Sequence, residues 1–548
     1  MASAGCSALG GGGGSDGQGD GKADGTGSGT TVSVKLLALN DFHGQIDSGK
    51  KLNNRPAGGA GVLAAYLRAA EAGMEERTIF TSSGDLVGAS PPASGLLEDE
   101  PAMMFMNLFA NDDGSNVVGT LGNHEFDRGS AEMLRKLFGG NSAKGPYLVD
   151  PYPGAAFPYV NANAVDSMTG QPLLQPYVIE RVGGVQIAFI GAITKNTPSV
   201  VMPSALEGVT FLDEADAINQ YIPEIQAQGV HAIVVLIHEG GDEAAFDGAT
   251  TDGSVSGRIV DVVSRLDADV DVVLSGHTHR FTNAMLPNAG GKKVLVTQAY
   301  SYSVAFANVD LAIDRKTDDI VGKSAKIVLA YADEGPGLTP DPAAQLLETQ
   351  ADQKVAPIVG AVIGHATADL SRSANEAGEE NLGDLVADAQ RAATGAQIAV
   401  TNPFGIRADI PAGDVTWGEL YAAQPFANNL VTVNLTGDQL YQLLEQQWVN
   451  QPTPEILQVS GMSFTWDGSK PLGQRIVEVR RDGQPVDRAA TYTVACNAFL
   501  ASGGDNFTVF RSATGATTSG IDLDALVAYV RMVGSLDVAL DGRIQRVH

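Results

Sequence analysis

Leu121-Gly122-Asn123-His124-Glu125-Phe126-Asp127 follows a short apolar run, Val117-Val118-Gly119-Thr120, that has the character of a buried strand. An amide, an imidazole and two carboxylates arrive within five residues of a glycine. Polar groups crowded at a strand end are costly to bury unless something binds them. Asn123 is therefore a candidate metal ligand, and His124 with Asp127 a candidate catalytic pair. The bland alternative is a capped loop with a surface histidine.

The same pattern recurs on both sides of this stretch. Val32 to Asn40 reads as a strand and runs into Asp41-Phe42-His43-Gly44. Gly58 to Ala72 has helical apolar spacing, and Thr78 to Ser82 is a strand ending at Ser83-Gly84-Asp85. Val185 to Ile190 follows the turn residues Gly183-Gly184, as in a hairpin. His231 to Ile237 ends at His238-Glu239-Gly240-Gly241, and Asp271 to Leu274 ends at Ser275-Gly276-His277-Thr278-His279. Five times an apolar strand stops, small residues follow, and a metal-capable side chain appears. Strands separated by helical segments predict an α/β sheet domain, and ligands bind such sheets at the carboxyl ends of their strands.

The strand-end set is Asp41, His43, Asp85, Asn123, His238, His277 and His279. Of eight histidines, five lie in these motifs once His124 is counted. His231, His365 and His548 fall outside and read as structural or surface residues. Imidazole with carboxylate oxygen suits first-row divalent ions such as Zn, Mn or Co. Seven ligands exceed one tetrahedral site but fit two ions roughly 3.5–4 Å apart. Only a carboxylate can offer two anionic oxygens to two cations, so the bridge is Asp41 or Asp85.

DFHG, SGD, GNHE, a His-Glu-Gly-Gly and GHTH, in this order, resemble the calcineurin-like metallophosphoesterases. Together with the later motifs, the chain resembles the bacterial periplasmic 5′-nucleotidase/UDP-sugar hydrolases. The resemblance implies a layered α/β/β/α sandwich at the N-terminal side, a linker helix and a smaller C-terminal α/β substrate domain. It implies that Asp41, His43, Asp85 and His279 hold one ion and that Asp85, Asn123, His238 and His277 hold the other, with Asp85 as bridge. His279 stands where some relatives carry an amide. His124 would stabilise the transferring phosphoryl group or the leaving oxygen, oriented by Asp127. Glu125 reads as a helix-start residue rather than a ligand.

The domain boundaries expected are a Gly/Ser-rich tether at 1–30, a dimetal domain at 31–332, a linker and polar bridging helix at 333–357, and a C-terminal domain at 358–548. Asp333-Glu334-Gly335-Pro336-Gly337 and Pro340-Asp341-Pro342 mark the break. In the last segment Ile398 to Val400, Leu430 to Leu435 and Tyr492 to Cys496 read as strands. Leu382 to Ala393, Gly437 to Gln447 and Asp522 to Met532 read as helices. Thr401 to Arg407, Gln424 to Asn428 and Asn497 to Asp505 carry a constellation suited to a nucleotide. Aromatic rings can stack on a base, a carboxylate can accept from ribose hydroxyls, and a guanidinium can fork onto phosphate. By the resemblance, Phe426 and Phe499 clamp the base, Asn428 meets its edge, Asp505 binds ribose and Arg407 binds phosphate. Arg372 lies near a further phosphate-binding position. Phe404, Phe507, Phe510 and the three tryptophans are assigned to packing. The resemblance also implies rotation of the second domain, with a hinge near Val355 to Val362.

The 548 residues carry a net charge of −29. That sets the chain against nucleic-acid polymers and anionic lipid surfaces, leaving a small nucleotide as the expected partner. Two cysteines, Cys6 in the tether and Cys496 in a strand, give no disulfide framework. Ser3-Ala4-Gly5-Cys6 before a Gly/Ser tether looks like a lipoprotein junction, which would make Cys6 a lipid anchor. The expected location is then periplasmic, secreted or surface-tethered. The expected activity is dimetal-dependent hydrolysis of nucleoside 5′-monophosphates, extending to UDP-sugars. The alternatives are a 2′,3′-cyclic phosphodiesterase/3′-nucleotidase and a non-catalytic nucleotide-binding surface protein. Sequence leaves the oligomeric state open.

Overall fold

A computed structural model describes residues 30–548 except positions 452 and 538. The tether with Cys6 lies outside the described residues. Two six-stranded sheets face each other. In the first, Thr31–Leu39, Thr78–Ser82, Val117–Thr120 and Tyr159–Val160 run parallel, and the antiparallel strands Ala305–Asp314 and Ile320–Leu329 extend the other edge. In the second, Val185–Ile193, Ile233–His238, Val270–Ser275 and Lys293–Ala299 run parallel, flanked by antiparallel Tyr177–Val182 and Phe281–Pro287.

The alternation along each strand explains the layering. In Thr31–Leu39, Leu36 points between the sheets and joins Phe189, Val234 and Leu274, whereas Leu37 points outward to Leu63, Leu67, Phe105 and Met106. Successive side chains face opposite sides of a strand, so a strand buried on both faces reads as a continuous apolar run. The outer face of the second sheet is covered by Glu214–Gln226 and Arg258–Arg265, through Ile218, Ile222, Ile259 and Val263. The outcome is an α/β/β/α sandwich.

The helix Pro342–Val359 leads out of it. Asp341 caps its start, accepting from the Ala343 and Ala344 amides at 3.0 Å each. The sequence suggests a polar helix, yet Ala344, Leu347, Ala351 and Val355 form a buried stripe that joins the core of the first sheet's helices. Their spacing of three to four residues is one helix face. The remaining chain builds a five-stranded sheet, in the order Gln458–Ser460, Ile398–Thr401, Thr491–Asn497, Asn429–Thr436, Thr514–Ile521. Gly437–Glu445 packs on one face of it. Asn381–Thr394 and Asp522–Val533 form a second cluster with each other. Cys496, Phe507 and Phe510 are buried, and Trp448 packs on Trp466 with ring centroids 5.2 Å apart. Phe404 departs from its expected place in the core and is 52% exposed, because Pro403–Gly405 is a single surface turn. Among the described residues no helix is long and apolar enough to cross a membrane.

Leu36 is fully buried between the sheets. Leu36→Ala should cost about 2–5 kcal/mol, read as an earlier urea midpoint for the first unfolding transition. An unchanged midpoint would contradict the sandwich core.

Candidate metal centre

All seven expected ligands sit at or just beyond the carboxyl ends of neighbouring strands, in the loops that follow Leu39, Ser82, Thr120 and Ser275, with His238 the last residue of its own strand. The backbone there is unusual. Asp41, His43, Asp85, His277 and His279 have positive φ values between 49° and 81°. Non-glycine residues adopt that region rarely, and such strain is concentrated at functional sites.

The geometry is tight. His238 Nε2 lies 3.1 Å from Asp85 Oδ2 and 3.2 Å from Asn123 Oδ1. His279 Nε2 lies 3.3 Å from Asp41 Oδ1 and 3.0 Å from His43 Nε2. His43 Nε2 is 3.8 Å from Asp85 Oδ2. The His277 ring packs edge-on against His238, centroids 5.0 Å apart. Asp41, His43 and His279 form one group of converging ligand atoms, and Asp41, Asp85 and His238 another.

Surrounding groups fix these side chains. The Gly88 carbonyl faces His43 Nδ1 and the Ser83 carbonyl faces His238 Nδ1, each at 2.9 Å. Nδ1–H donates to each carbonyl, which turns Nε2 toward the centre as the ligand nitrogen. Asn40 donates to Asp41 Oδ2 at 2.7 Å, and the His277 amide donates to both Asp41 oxygens at 3.0 Å. The His124 amide donates to Asp85 Oδ1 at 2.9 Å. Glycine is required at Gly122, where a Cβ would lie 2.2 Å from Asp85 Oδ1.

Burial drives Asp41 and Asp85 toward the neutral acid, but the imidazoles around them prevail and hold both below the usual carboxylate range. Burial, with His279 and His124 nearby, keeps His43 neutral. Burial also opposes a charge on His238, yet Asp85 overrides it and pushes the group up to about 10. The pocket therefore attracts positive charge. Neutral imidazole nitrogens, an amide oxygen and two buried carboxylates are a donor set that fits divalent metal. Asp41, His43 and His279 would hold one ion, and Asn123, His238 and His277 the other, with Asp85 between them.

His124 Nδ1 is 2.7 Å from Asp127 Oδ2, and the pair abuts the cradle, with the His124 and His43 rings 5.0 Å apart. Burial lowers the His124 pKa, but Asp127 and Asp85 outweigh it and the net shift is upward.

Several positioning residues escaped the sequence reading. Glu125 is more than a helix-start residue: its carboxylate accepts from the Asp85, Leu86 and Gly122 amides at 3.0, 3.0 and 2.5 Å and locks two ligand loops together. Tyr302 packs against His43 and His279, centroids 5.2 and 5.4 Å away. It follows Lys293–Ala299, a sixth strand whose apolar run and trailing Ser/Tyr residues repeat the pattern of the other five.

The second domain reaches this centre. The Phe426 ring stacks on His124 with centroids 5.8 Å apart, and Arg407 Nη2 donates to the Tyr302 hydroxyl at 2.7 Å. Phe499 is half-buried and backed by Gly504, where a Cβ would meet the ring at 2.5 Å. Asp505 is buried and accepts from Asn402 Nδ2 at 2.7 Å. Asn428 is tied to the start of Asp522–Val533: its carbonyl accepts from the Asp522 amide at 2.9 Å, and its side chain bonds the Asp522 carboxyl. Arg372 is exposed and paired with Asp409 at 3.0 Å.

A two-sheet sandwich with this strand-end cradle and a second α/β domain defines a metallophosphoesterase architecture. Residues 34–281 match the calcineurin-like phosphoesterase family, and residues 362–512 match the 5′-nucleotidase C-terminal domain. The chain is 35% identical over 509 residues to Endonuclease YhcR of Bacillus subtilis (strain 168), across 91% of this chain and 40% of that protein. It is 32% identical over 541 residues to Cell wall protein Lmo0130 of Listeria monocytogenes, across 91% of this chain and 67% of that one. It superposes on the 5′-nucleotidase precursor of Thermus thermophilus with a TM-score of 0.77 and 27% identity, over 94% of this chain and 100% of that one. The chain belongs to the calcineurin-like phosphoesterases of the 5′-nucleotidase type, a family of hydrolases with a dinuclear metal centre.

Metal that binds only the folded state stabilises it by about 2.7 kcal/mol at a hundredfold excess over Kd. Chelation should therefore lower the melting temperature by several degrees, and re-addition of Mn²⁺ should restore it. A melting curve indifferent to both would remove the metal centre.

Proposed function

We propose that this chain hydrolyses nucleoside 5′-monophosphates to nucleoside and orthophosphate, with UDP-sugars and other nucleoside diphosphate bonds as further substrates. The observation that carries this reading is the stacking of Phe426 on His124. It puts a base-stacking side chain of the second domain beside a histidine that adjoins the metal cradle.

Phe426 and Phe499 hold the base by stacking, which contributes about 1–3 kcal/mol per base. Asp505, fixed by Asn402, accepts from the ribose hydroxyls. Arg407 neutralises phosphate charge, and Arg372 adds a longer-range contribution from the rim. Asn428 closes the base edge once its side chain leaves Asp522. Divalent ions, when bound, supply positive charge against the phosphoryl oxygens and activate the attacking water. His124, whose charged form Asp127 favours, donates to the developing charge on the phosphoryl or leaving oxygen.

One relative is an endonuclease by name. A net charge of −29 sets this chain against a polyanionic substrate and favours the mononucleotide. We place the protein outside the cytoplasm, in keeping with a cell wall relative and with Cys6 as a tether site.

Phosphate release from AMP, UMP, UDP-glucose, ATP and 2′,3′-cyclic AMP at matched Mn²⁺ tests the assignment. AMP or UMP should lead, and preference for the cyclic substrate would overturn it. His124→Ala should retain its metals yet lose roughly 10²–10⁴-fold in kcat; near-normal turnover in a metal-loaded variant would exclude His124 from the chemistry. Burial pushes Asp505 up to about 6 against the pull of Asn402 and Arg407. Its carboxylate is ionised above that pH and gains a proton below it, losing acceptor capacity. KM for AMP should therefore rise as pH falls through about 6, and Asp505→Asn should flatten that rise.

A further inference from the structure

Lys50 lies on the loop that follows His43 and belongs to neither the ligand set nor the substrate set. Its ammonium sits half-buried, 4.7 Å from the centroid of the Tyr302 ring. Among the described residues no carboxylate lies within 4.0 Å of it and no hydrogen bond holds it. Burying a charge without a close counter-ion is costly. Its neighbours make the cost larger. Burial, with the charges of Arg372 and Arg407, draws the Lys50 amine down to about 8, and Asp47 and Asp409 offset this only in part.

Arg407 is also incompletely satisfied. One arm donates to the Tyr302 hydroxyl at 2.7 Å and another reaches the Phe404 carbonyl at 3.5 Å, while its Nε is buried with no partner. Two cations thus flank one phenol, Lys50 over its ring and Arg407 on its hydroxyl, neither with a carboxylate partner among the described residues, and the same ring packs against His43 and His279 of the metal cradle. Lys50 and Arg407 gather here beside the Tyr302 hydroxyl on a chain with a net charge of −29. An oxyanion is the ligand that would satisfy all of them, because it accepts charge-assisted bonds from ammonium, guanidinium and hydroxyl together.

We infer that Lys50 is a specificity-determining residue, framing with Arg407 and the Tyr302 hydroxyl an oxyanion subsite on the His43–His279 side of the cradle that takes a phosphoryl group of the substrate and the orthophosphate product. This rests on the phosphohydrolase reading above but not on the identity of the base. Lys50 belongs to the same domain as the metal ligands, whereas Arg407 belongs to the other. Lys50 therefore keeps its place over the Tyr302 ring whatever the second domain does, and it holds orthophosphate after the nucleoside has left.

The test is calorimetric titration of inorganic phosphate into the Mn²⁺-loaded full chain, with AMP kinetics in parallel. Lys50→Gln and Lys50→Met should each weaken phosphate binding roughly tenfold, the loss of one charge-assisted bond. Lys50→Met keeps the aliphatic stem against Tyr302, so a packing role alone would leave its phosphate affinity intact. Lys50→Arg should recover most of the affinity. KM for AMP should rise with kcat held within about threefold, the signature of lost binding rather than lost chemistry. Wild-type phosphate affinity in a folded, metal-loaded Lys50→Met overturns the subsite. If AMP is not hydrolysed but phosphate binding still falls in that variant, the subsite stands and only the nucleotide assignment fails.

Discussion

Two aspartates, Asp41 and Asp85, lie in one pocket with almost no exposure to solvent. Two like charges at that depth repel each other and have lost their hydration, so the fold must supply the compensation. It does so in layers. Backbone amides of His277 and His124 and the Asn40 amide take the oxygens that face the protein. Imidazoles take the oxygens that face the centre. What remains is a deficit of positive charge, which also shows in the upward push of Asp85 on His238. The strained backbone, the glycines and the buried polar shell all serve this one electrostatic requirement.

The constraint extends outward. Glu125 is buried and pushed up to about 7 by burial and by Asp85, a further negative charge close to an already acidic pocket. It is tolerated because three backbone amides converge on it. Those bonds join the loop after Ser82 to the loop after Thr120, so that two ligands from different strands move as one unit. A residue that looks like a helix-start carboxylate in sequence is, in the fold, the clasp between the two metal loops.

How much of this was legible depended on whether the signal was local. The strand Thr78–Ser82 and its Asp85 could be read because an apolar run meets a glycine and a carboxylate within seven residues. The antiparallel strands Ala305–Asp314 and Ile320–Leu329 left a weaker trace, since the second has a half-solvated face and mixed polar residues. The stripe of Ala344, Leu347, Ala351 and Val355 was hidden by the polar residues that crowd the middle of its helix. Phe404 shows the opposite failure: an aromatic beside a strand suggests core, yet the turn at Pro403–Gly405 directs it to solvent. Lys50 and Tyr302 could not be paired from sequence, because some 250 residues separate two side chains that meet only when six strand ends share a rim.

The cleft between the domains is lined by contacts that a substrate would replace with better ones. Phe426 rests on His124, and Arg407 on Tyr302. A base would exchange the first contact for stacking on its own π-face, and a phosphate would exchange the second for a charge-assisted bond. Phe426 and Arg407 are each half-buried, and the Arg407 Nε still lacks a partner, so the ligand completes contacts that the protein only begins. The same contacts bridge the two domains, the aromatic one ending on the catalytic candidate and the polar one on the ring beside His43 and His279. The second domain is thereby joined to the surroundings of the metal cradle through two side-chain pairs.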